Sequence, residues 1–386
     1  MILMQKSDSA SAHRVYDLQQ MFEPQASAGS EQVLRSSKFS RMHMHLDDQA
    51  TSLLDSFPDS EDTSCCFFRL EVNDELTVRF TVQGEYQLNS CPSGCWLIKP
   101  VEIALPSFWI PHTPVLRMYE SSGRILSEKS PAIVGLEATP TELAIEIKTS
   151  GNRQLDLTLW RFPPENGVIV AELERPLALE KQPVFLWTSQ TIYQTPADLY
   201  LYLIHGHIYA NRFIWPRKWK ICSELDAYGL YVLLKGLELS TDKTFYGLLK
   251  RQILFSVIAR QSRDGGWYHG DWTDLMESHY RYHNGAMHLL ESALEEDGPD
   301  ETVRTALESA ASFITNYTDQ TSLGLWFLHD SLEESVEGMD ECWKQTGGKW
   351  LPSRTLGKSP TNKLILNTHL DTTIALHRYR EVTGDN

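Results

Sequence analysis

The chain is short of cysteine, of basic residues and of long apolar runs, and each shortage excludes a class of protein. Six cysteines in 386 residues do not make a disulfide-stapled scaffold. They do not form two close pairs at zinc-finger spacing either. Cys91 and Cys95 flank Pro-Ser-Gly, and Cys65 and Cys66 are neighbours, which on a strand point to opposite faces. Free, buried thiols are the expectation. Lys and Arg total 35 against 51 Asp and Glu, a formal charge of -16. That balance argues against nucleic acid, whose phosphates draw on clustered cations, and against anionic membranes. No run of eighteen apolar residues exists, so no transmembrane helix and no membrane partner is expected. Met1 to Met4 is too brief an apolar stretch for a secretion signal, and a soluble, cytoplasmic protein is expected. The chain also lacks a Gly-rich phosphate loop, a Gly-x-Ser-x-Gly elbow and a His-Glu-x-x-His pair. No cofactor and no resident metal are expected.

What is present is ordinary globular composition, 41% hydrophobic, at a length that suits two or three domains. Residues 1–63 are rich in Ser, Gln and Asp and read as a weakly ordered segment. Residues 64–200 read as all-β. Leu76, Val78, Phe80 and Val82 alternate with polar residues, as do Leu155, Leu157 and Leu159, and turn-forming clusters separate the short runs. An antiparallel β-sandwich is the expected domain. After residue 200 the period changes to that of a helix. Five amphipathic segments follow, around Leu225–Leu237, Phe245–Val257, Ala286–Leu294, Val303–Ile314 and Leu366–Leu376. Aligned on their closing turns, three of them place Ala227, His283 and His369 at one repeated position. The connecting loops repeat as well: Gly265-Gly-Trp-Tyr-His-Gly-Asp271 resembles Gly324-Leu-Trp-Phe-Leu-His-Asp330. Stacked helical hairpins of this kind close into rings, so residues 201–386 are expected to form an α/α toroid, incomplete at Asn386.

In such a ring the long loops surround a central cavity. Trp267, Tyr268, Trp272 and Trp326 would stack on sugar rings, with Asp271, Arg281 and His329 as further contacts. Eleven Trp residues make a glycan groove reasonable, while the plainer reading has each Trp fasten its own loop. Nine of the thirteen His lie beyond residue 204. The segment Glu277-Ser-His279-Tyr280-Arg281-Tyr-His283 gathers titratable groups at a helix start. His279 and His283 share a helix face and could hold zinc with His369 or Asp371, but no local third ligand completes a metal pattern. Acid–base work by Glu277, His279, Tyr280, His283 and His369 is favoured over it. A polar network between helices is the plainer reading for each of these residues. Arg281 suits a carboxylate ligand and equally an ion pair with Glu277.

The run Gln261-Ser-Arg-Asp-Gly-Gly-Trp267, the helix around Gly285-Ala286, Leu364-Ile-Leu-Asn367 and the ending Tyr379-Arg-Glu-Val-Thr-Gly-Asp385 resemble the C-terminal α/α toroid of the glucuronyl C5-epimerases. The resemblance covers roughly residues 200–386. It implies a β-rich domain ahead of a toroid and abstraction of the C5 proton of a uronate by Tyr and Glu. The chain's negative charge opposes an anionic polysaccharide unless cations such as Arg354, Lys358 and Lys363 gather locally. The expectation is a carbohydrate-active protein with an oligosaccharide or polysaccharide as partner, of epimerase or lyase type. A glycoside hydrolase using two of Asp264, Asp271, Asp274, Glu277 and Asp330 is one alternative. A non-catalytic glycan-binding or scaffold protein is the other.

Overall fold

The structure, a computed structural model, describes residues 12–22, 30–35, 39–57, 63–90, 96–111, 114–129, 133–151, 153–164, 167, 170, 208–209, 220–221, 224–241, 244–268, 273, 275, 277–346 and 361–385. The chain divides into two units. The first comprises Met1–Arg35, Phe39–Met118 and Ser127–Val170, the second Ser36–Lys38, Tyr119–Leu126 and Ala171–Asn386.

In chain order the first sheets are built from β1 (Ala12–Asp17), helix α1 (Leu18–Phe22), β2 (Ser30–Arg35), β3 (Ser40–His45), β4 (Ala50–Phe57), β5 (Thr63–Val72), β6 (Leu76–Gln83) and β7 (Tyr86–Ser90). They continue with β8 (Trp96–Pro100), β9 (Ser107–Ile110), β10 (Val115–Tyr119), β11 (Ile125–Lys129), β12 (Ile133–Ala138), β13 (Glu142–Lys148) and β14 (Arg153–Phe162). The N-terminal segment expected to be weakly ordered therefore supplies four strands and a helix. One sheet has the order β1-β6-β13-β12. The other holds ten strands, β2-β3-β4-β5-β14-β9-β8-β7, with β10 on β14 and β11 on β10.

The sheets share one hydrophobic core, in which Phe68 of β5 meets Phe80 of β6 edge-on at 5.1 Å and Tyr16 of β1 at 5.0 Å. The alternation in β6 works as its sequence indicates, with Val78, Phe80 and Val82 inward. Strand β1 pairs with β6 in parallel, Ala12 opposite Leu76, so the smaller sheet is mixed and the expected antiparallel sandwich is not what forms. Strand β14 is central and buried on both faces, against the alternation of its sequence. Asp156 is buried there because Arg69, at 2.8 Å, and Arg117 neutralise it. Arg41 of β3 and Asp55 of β4 form a second ion pair, with both side chains wholly buried. Cys65 and Cys66 are free and buried, while Cys91 and Cys95 lie outside the described residues.

The second unit contains β15 (Ile208–Tyr209), β16 (Lys220–Ile221), α2 (Glu224–Thr241), α3 (Thr244–Ala259), α4 (Tyr280–Asp297) and α5 (Glu301–Thr315). The hairpin β17 (Thr318–Thr321) and β18 (Gly324–Phe327) follows, then a 3-10 turn (Ser331–Glu334), α6 (Val336–Thr346) and α7 (Leu366–Thr383). Each of the five periodic segments is a helix. Asp300 caps α5 through the Thr302 and Val303 amides, and the Gly298 amide closes α4 on the Leu294 carbonyl. Helix α4 packs against α2, α5 and α7, and α5 also meets α7.

The expected α/α toroid is not found: among the described residues no ring of hairpins closes, and a mixed helix-and-strand unit stands in its place. Helical period fixes which face of a helix is buried; it carries nothing about how many hairpins follow or whether the ends meet. The two loops that look alike in sequence also differ, since Gly324–Phe327 is a hairpin strand and Gly265–Tyr268 is not. Among the described residues no helix is long and apolar enough to cross a membrane.

Candidate functional site

The start of α4 lies alongside the chain between β18 and the 3-10 turn. His279 and Asp330 form an antiparallel bridge, the Tyr280 amide donates to the His329 carbonyl at 3.1 Å, and Ser278 and Ser331 exchange further bonds. His279 is the N-cap of α4. Its Nδ1 accepts from the Arg281 amide at 3.3 Å, which leaves the ring proton of the neutral form on Nε2. The ring stacks on Tyr282 at 4.4 Å and meets the edge of His329 at 4.4 Å. His329 Nδ1 lies 2.5 Å from the Thr368 hydroxyl in the first turn of α7.

One residue on, His369 Nδ1 accepts from the Phe327 amide at 3.2 Å, and its ring lies flat against the Trp326 indole at 4.2 Å. Four sequence-predicted residues, His279, His329, Trp326 and His369, are thus brought together with Thr368, which the sequence reading missed. The signal available was its position beside His369 on the first turn of a helix.

Electrostatics favour the neutral form of two of these imidazoles, His329 and His369. Burial, and then the positive charges of Lys363 and Arg281, push His329 down to about 3. Burial alone lowers His369. Behind them lies a pair of carboxylates. Glu277 is 2% exposed and accepts from the Thr273 amide at 3.1 Å and the Thr273 hydroxyl at 2.6 Å. Asp330 is fully buried and caps the 3-10 turn through the Leu332 amide at 2.9 Å. Burial, and then the charge of Glu277, push its carboxyl well above the ordinary range. Glu333, another residue the sequence reading missed, is also wholly buried and joins this region to Lys363 at 3.7 Å. The Asp330-x-x-Glu333 spacing of a helix start was its signal.

Other candidates are buried within the unit. Tyr280 is wholly buried against Tyr317 at 4.9 Å, and burial raises its hydroxyl well above the ordinary value. His283 is wholly buried: its Nε2 lies 2.9 Å from the Ala310 carbonyl of α5, between Trp267 and Phe313. His283 and His369 therefore do not line one common wall, and His279 and His283 face different neighbours. Trp267 donates Nε1–H to the Val257 carbonyl at 2.9 Å and fastens its own loop. Gly265 makes that loop possible, with φ +93° and no room for a Cβ, which would sit 2.2 Å from the Ser309 carbonyl oxygen. Tyr268 donates to Asp264 at 2.6 Å beneath the Arg124 guanidinium. Asp271, Trp272, Asp274, Arg354 and Lys358 lie outside the described residues.

No family model matches this chain, and no curated protein does. Among solved structures it is similar to a polysaccharide lyase at a TM-score of 0.25 and 10% identity, over 90% of this chain and 63% of that one. It is also similar to a protein assigned as a kojibiose phosphorylase from the human microbiome, at a TM-score of 0.18 and 7% identity, over 89% and 54%. The chain spans less than two thirds of the length of either protein. Likenesses at these scores carry neither fold nor function across.

Proposed function

We propose that the second unit binds a uronate-bearing saccharide at the His279–His329–Trp326–His369 cluster and exchanges a ring proton of that sugar. The observation that supports this reading most is the grouping itself: the His279 and His329 rings meet at 4.4 Å, His329 Nδ1 reaches the Thr368 hydroxyl, and the next residue, His369, lies flat against the Trp326 indole at 4.2 Å. Removing the proton next to a carboxylate requires a base that is free to accept it. It also requires positive charge where negative charge develops. The Trp326 indole, stacked on His369 in the same cluster, is the kind of aromatic surface that meets a sugar's C–H bonds.

The chemistry is simple to state. The base takes the C5 proton and the bonding electrons pass into the carboxylate. Return of a proton from the other face inverts C5, whereas loss of the C4 oxygen gives an unsaturated product. A hydrolytic reading asks for two reachable carboxylates, and Glu277 and Asp330 are buried.

The test is incubation in D₂O with uronate-containing and neutral oligosaccharides, read by mass spectrometry. Deuterium gain, or a new unsaturated end, in uronate substrates alone supports the proposal, and His329→Gln should abolish it. Cleavage with added water, or binding without any exchange, refutes it in favour of a hydrolase or a binding protein.

A further inference from the structure

The chain leaves the 3-10 turn at Glu334, passes through α6 and returns at Thr361 to begin α7. One side chain holds both ends of this excursion. Glu333 is wholly buried. Its Oε2 accepts from the His329 amide at 3.4 Å and from the Lys363 amide at 3.4 Å, and its Oε1 lies 3.7 Å from the Lys363 ammonium. Its own carbonyl accepts from the Thr361 hydroxyl at 2.7 Å.

The returning segment is fixed on its other side as well. Asn362 donates to Asp319 of β17 at 3.2 Å and accepts from the Leu364 amide at 2.8 Å. Leu364 has φ +53°, a left-handed conformation that a leucine keeps only where its surroundings over-determine it. This much constraint on three residues is more than a surface connection needs, and Lys363 is at its centre.

We infer that Glu333 is a positioning residue, whose carboxylate ties the His329 amide to both the amide and the ammonium of Lys363 and so fixes that positive charge beside the His329 segment. Its catalytic meaning rests on the function proposed above, but the placement does not. Replacing Glu333 by Gln keeps a carbonyl for the two amides and removes the charge that anchors Lys363. The ammonium then swings into solvent, where water screens it from the ring.

The experiment is a histidine-ring NMR titration of the full chain, with the His329 signal assigned by its loss in His329→Asn. Glu333→Gln and Lys363→Met should each raise the His329 midpoint by about one pH unit, and the double variant should go no higher than either single one. An unchanged midpoint in Glu333→Gln, or full additivity, overturns the inference. Should Glu333→Gln fail to fold, Lys363→Met gives the reciprocal reading. The Glu333 carboxyl, followed by carbon NMR, should then titrate higher, and no movement overturns the inference. Turnover separates the two proposals. A shifted His329 in a protein that exchanges no sugar proton leaves Glu333 assigned and the function refuted. An active protein whose Glu333→Gln variant keeps both its kcat and its His329 midpoint refutes the assignment alone.

Discussion

Two glycines in the helices of the second unit respond oppositely to the same substitution. Gly236 lies within α2 and Gly285 within α4, and helix propensity favours Ala over Gly at each by about 1 kcal/mol. At Gly236 an added Cβ meets nothing within 4 Å, so Gly236→Ala should stabilise the unit by about 0.5–1 kcal/mol. At Gly285 the added Cβ would sit 2.5 Å from Leu225 Cα and 2.6 Å from Leu225 N. Both are backbone atoms, so no rotamer change relieves the clash, and α4 and α2 must move apart by about 1 Å to restore carbon contact near 3.8 Å. Overpacking of this kind costs about 1–3 kcal/mol or more, and a gap of this size forfeits up to half of the dispersion energy along the contact. The clash outweighs the propensity gain, and Gly285→Ala should destabilise by about 2 kcal/mol net. Thermal unfolding of both variants beside the parent checks this. Gly236→Ala should raise the midpoint by roughly 2–4 °C and Gly285→Ala should lower it by roughly twice that. A Gly285→Ala protein as stable as the parent would falsify the close approach of α4 to α2.

His288 of α4 bonds Glu291 at 3.0 Å and Asp371 of α7 at 3.4 Å, with Arg378, Glu295 and Tyr228 around it. Burial disfavours its charge, but the two carboxylates outweigh burial and hold it up at about 9. A raised imidazole stabilises the fold fully below its unfolded value near 6.5 and loses that contribution as pH rises through about 9. The advantage of the parent over His288→Gln, at most about 3 kcal/mol, should therefore shrink between those limits, and an advantage that stays constant from pH 6 to 10 refutes it. In the first unit, Asp55→Asn removes the carboxylate charge to which Arg41 Nε and Nη2 donate at 2.7 and 2.9 Å in a wholly buried site. Urea unfolding should show a loss of about 3–5 kcal/mol, and a loss under 1 kcal/mol counts against it. The double replacement Arg41→Met with Asp55→Leu should recover most of that stability, since it removes the two opposite buried charges together.

The helices were the most legible part of the sequence, because a period near 3.6 sustained over about fifteen residues fits little besides an amphipathic helix. The strands were legible where one face is wet, as in β6, and misleading in β14, whose Asp156 is buried by two arginines far away in sequence. The parallel pairing of β1 with β6 leaves no local trace, since nothing in Ala12–Asp17 specifies a partner some sixty residues on. Closure of a toroid was inferred from repetition, which reports the unit and not the count. At the candidate site, the residue types were readable and their partners were not. Glu277 reads as a mate for Arg281 at helical spacing; the structure adds that it precedes the helix and accepts from both the amide and the hydroxyl of Thr273, a partner that helical spacing does not reveal. His283 looked like an inner-wall acid or base, yet it reaches the backbone of α5. Histidine is amphipathic, and only the packing of α5 decides which half of its character is used.

The pairing of β1 also bears on how the protein is made. A strand that hydrogen-bonds in parallel to β6 has no partner until residue 83 has left the ribosome, and β5 waits for β14, which ends at Phe162. At about 5–20 residues per second, β1 spends several seconds as an exposed edge while the chain grows. Non-local pairing of this kind slows folding, and an unsatisfied edge is a template for unwanted association. Strand β1 carries His13 and Arg14 among its apolar residues, and Arg14 later bonds Asp47 at 2.9 Å. A positive charge on such an edge opposes the pairing of like strands from neighbouring nascent chains, the property expected of a gatekeeper residue.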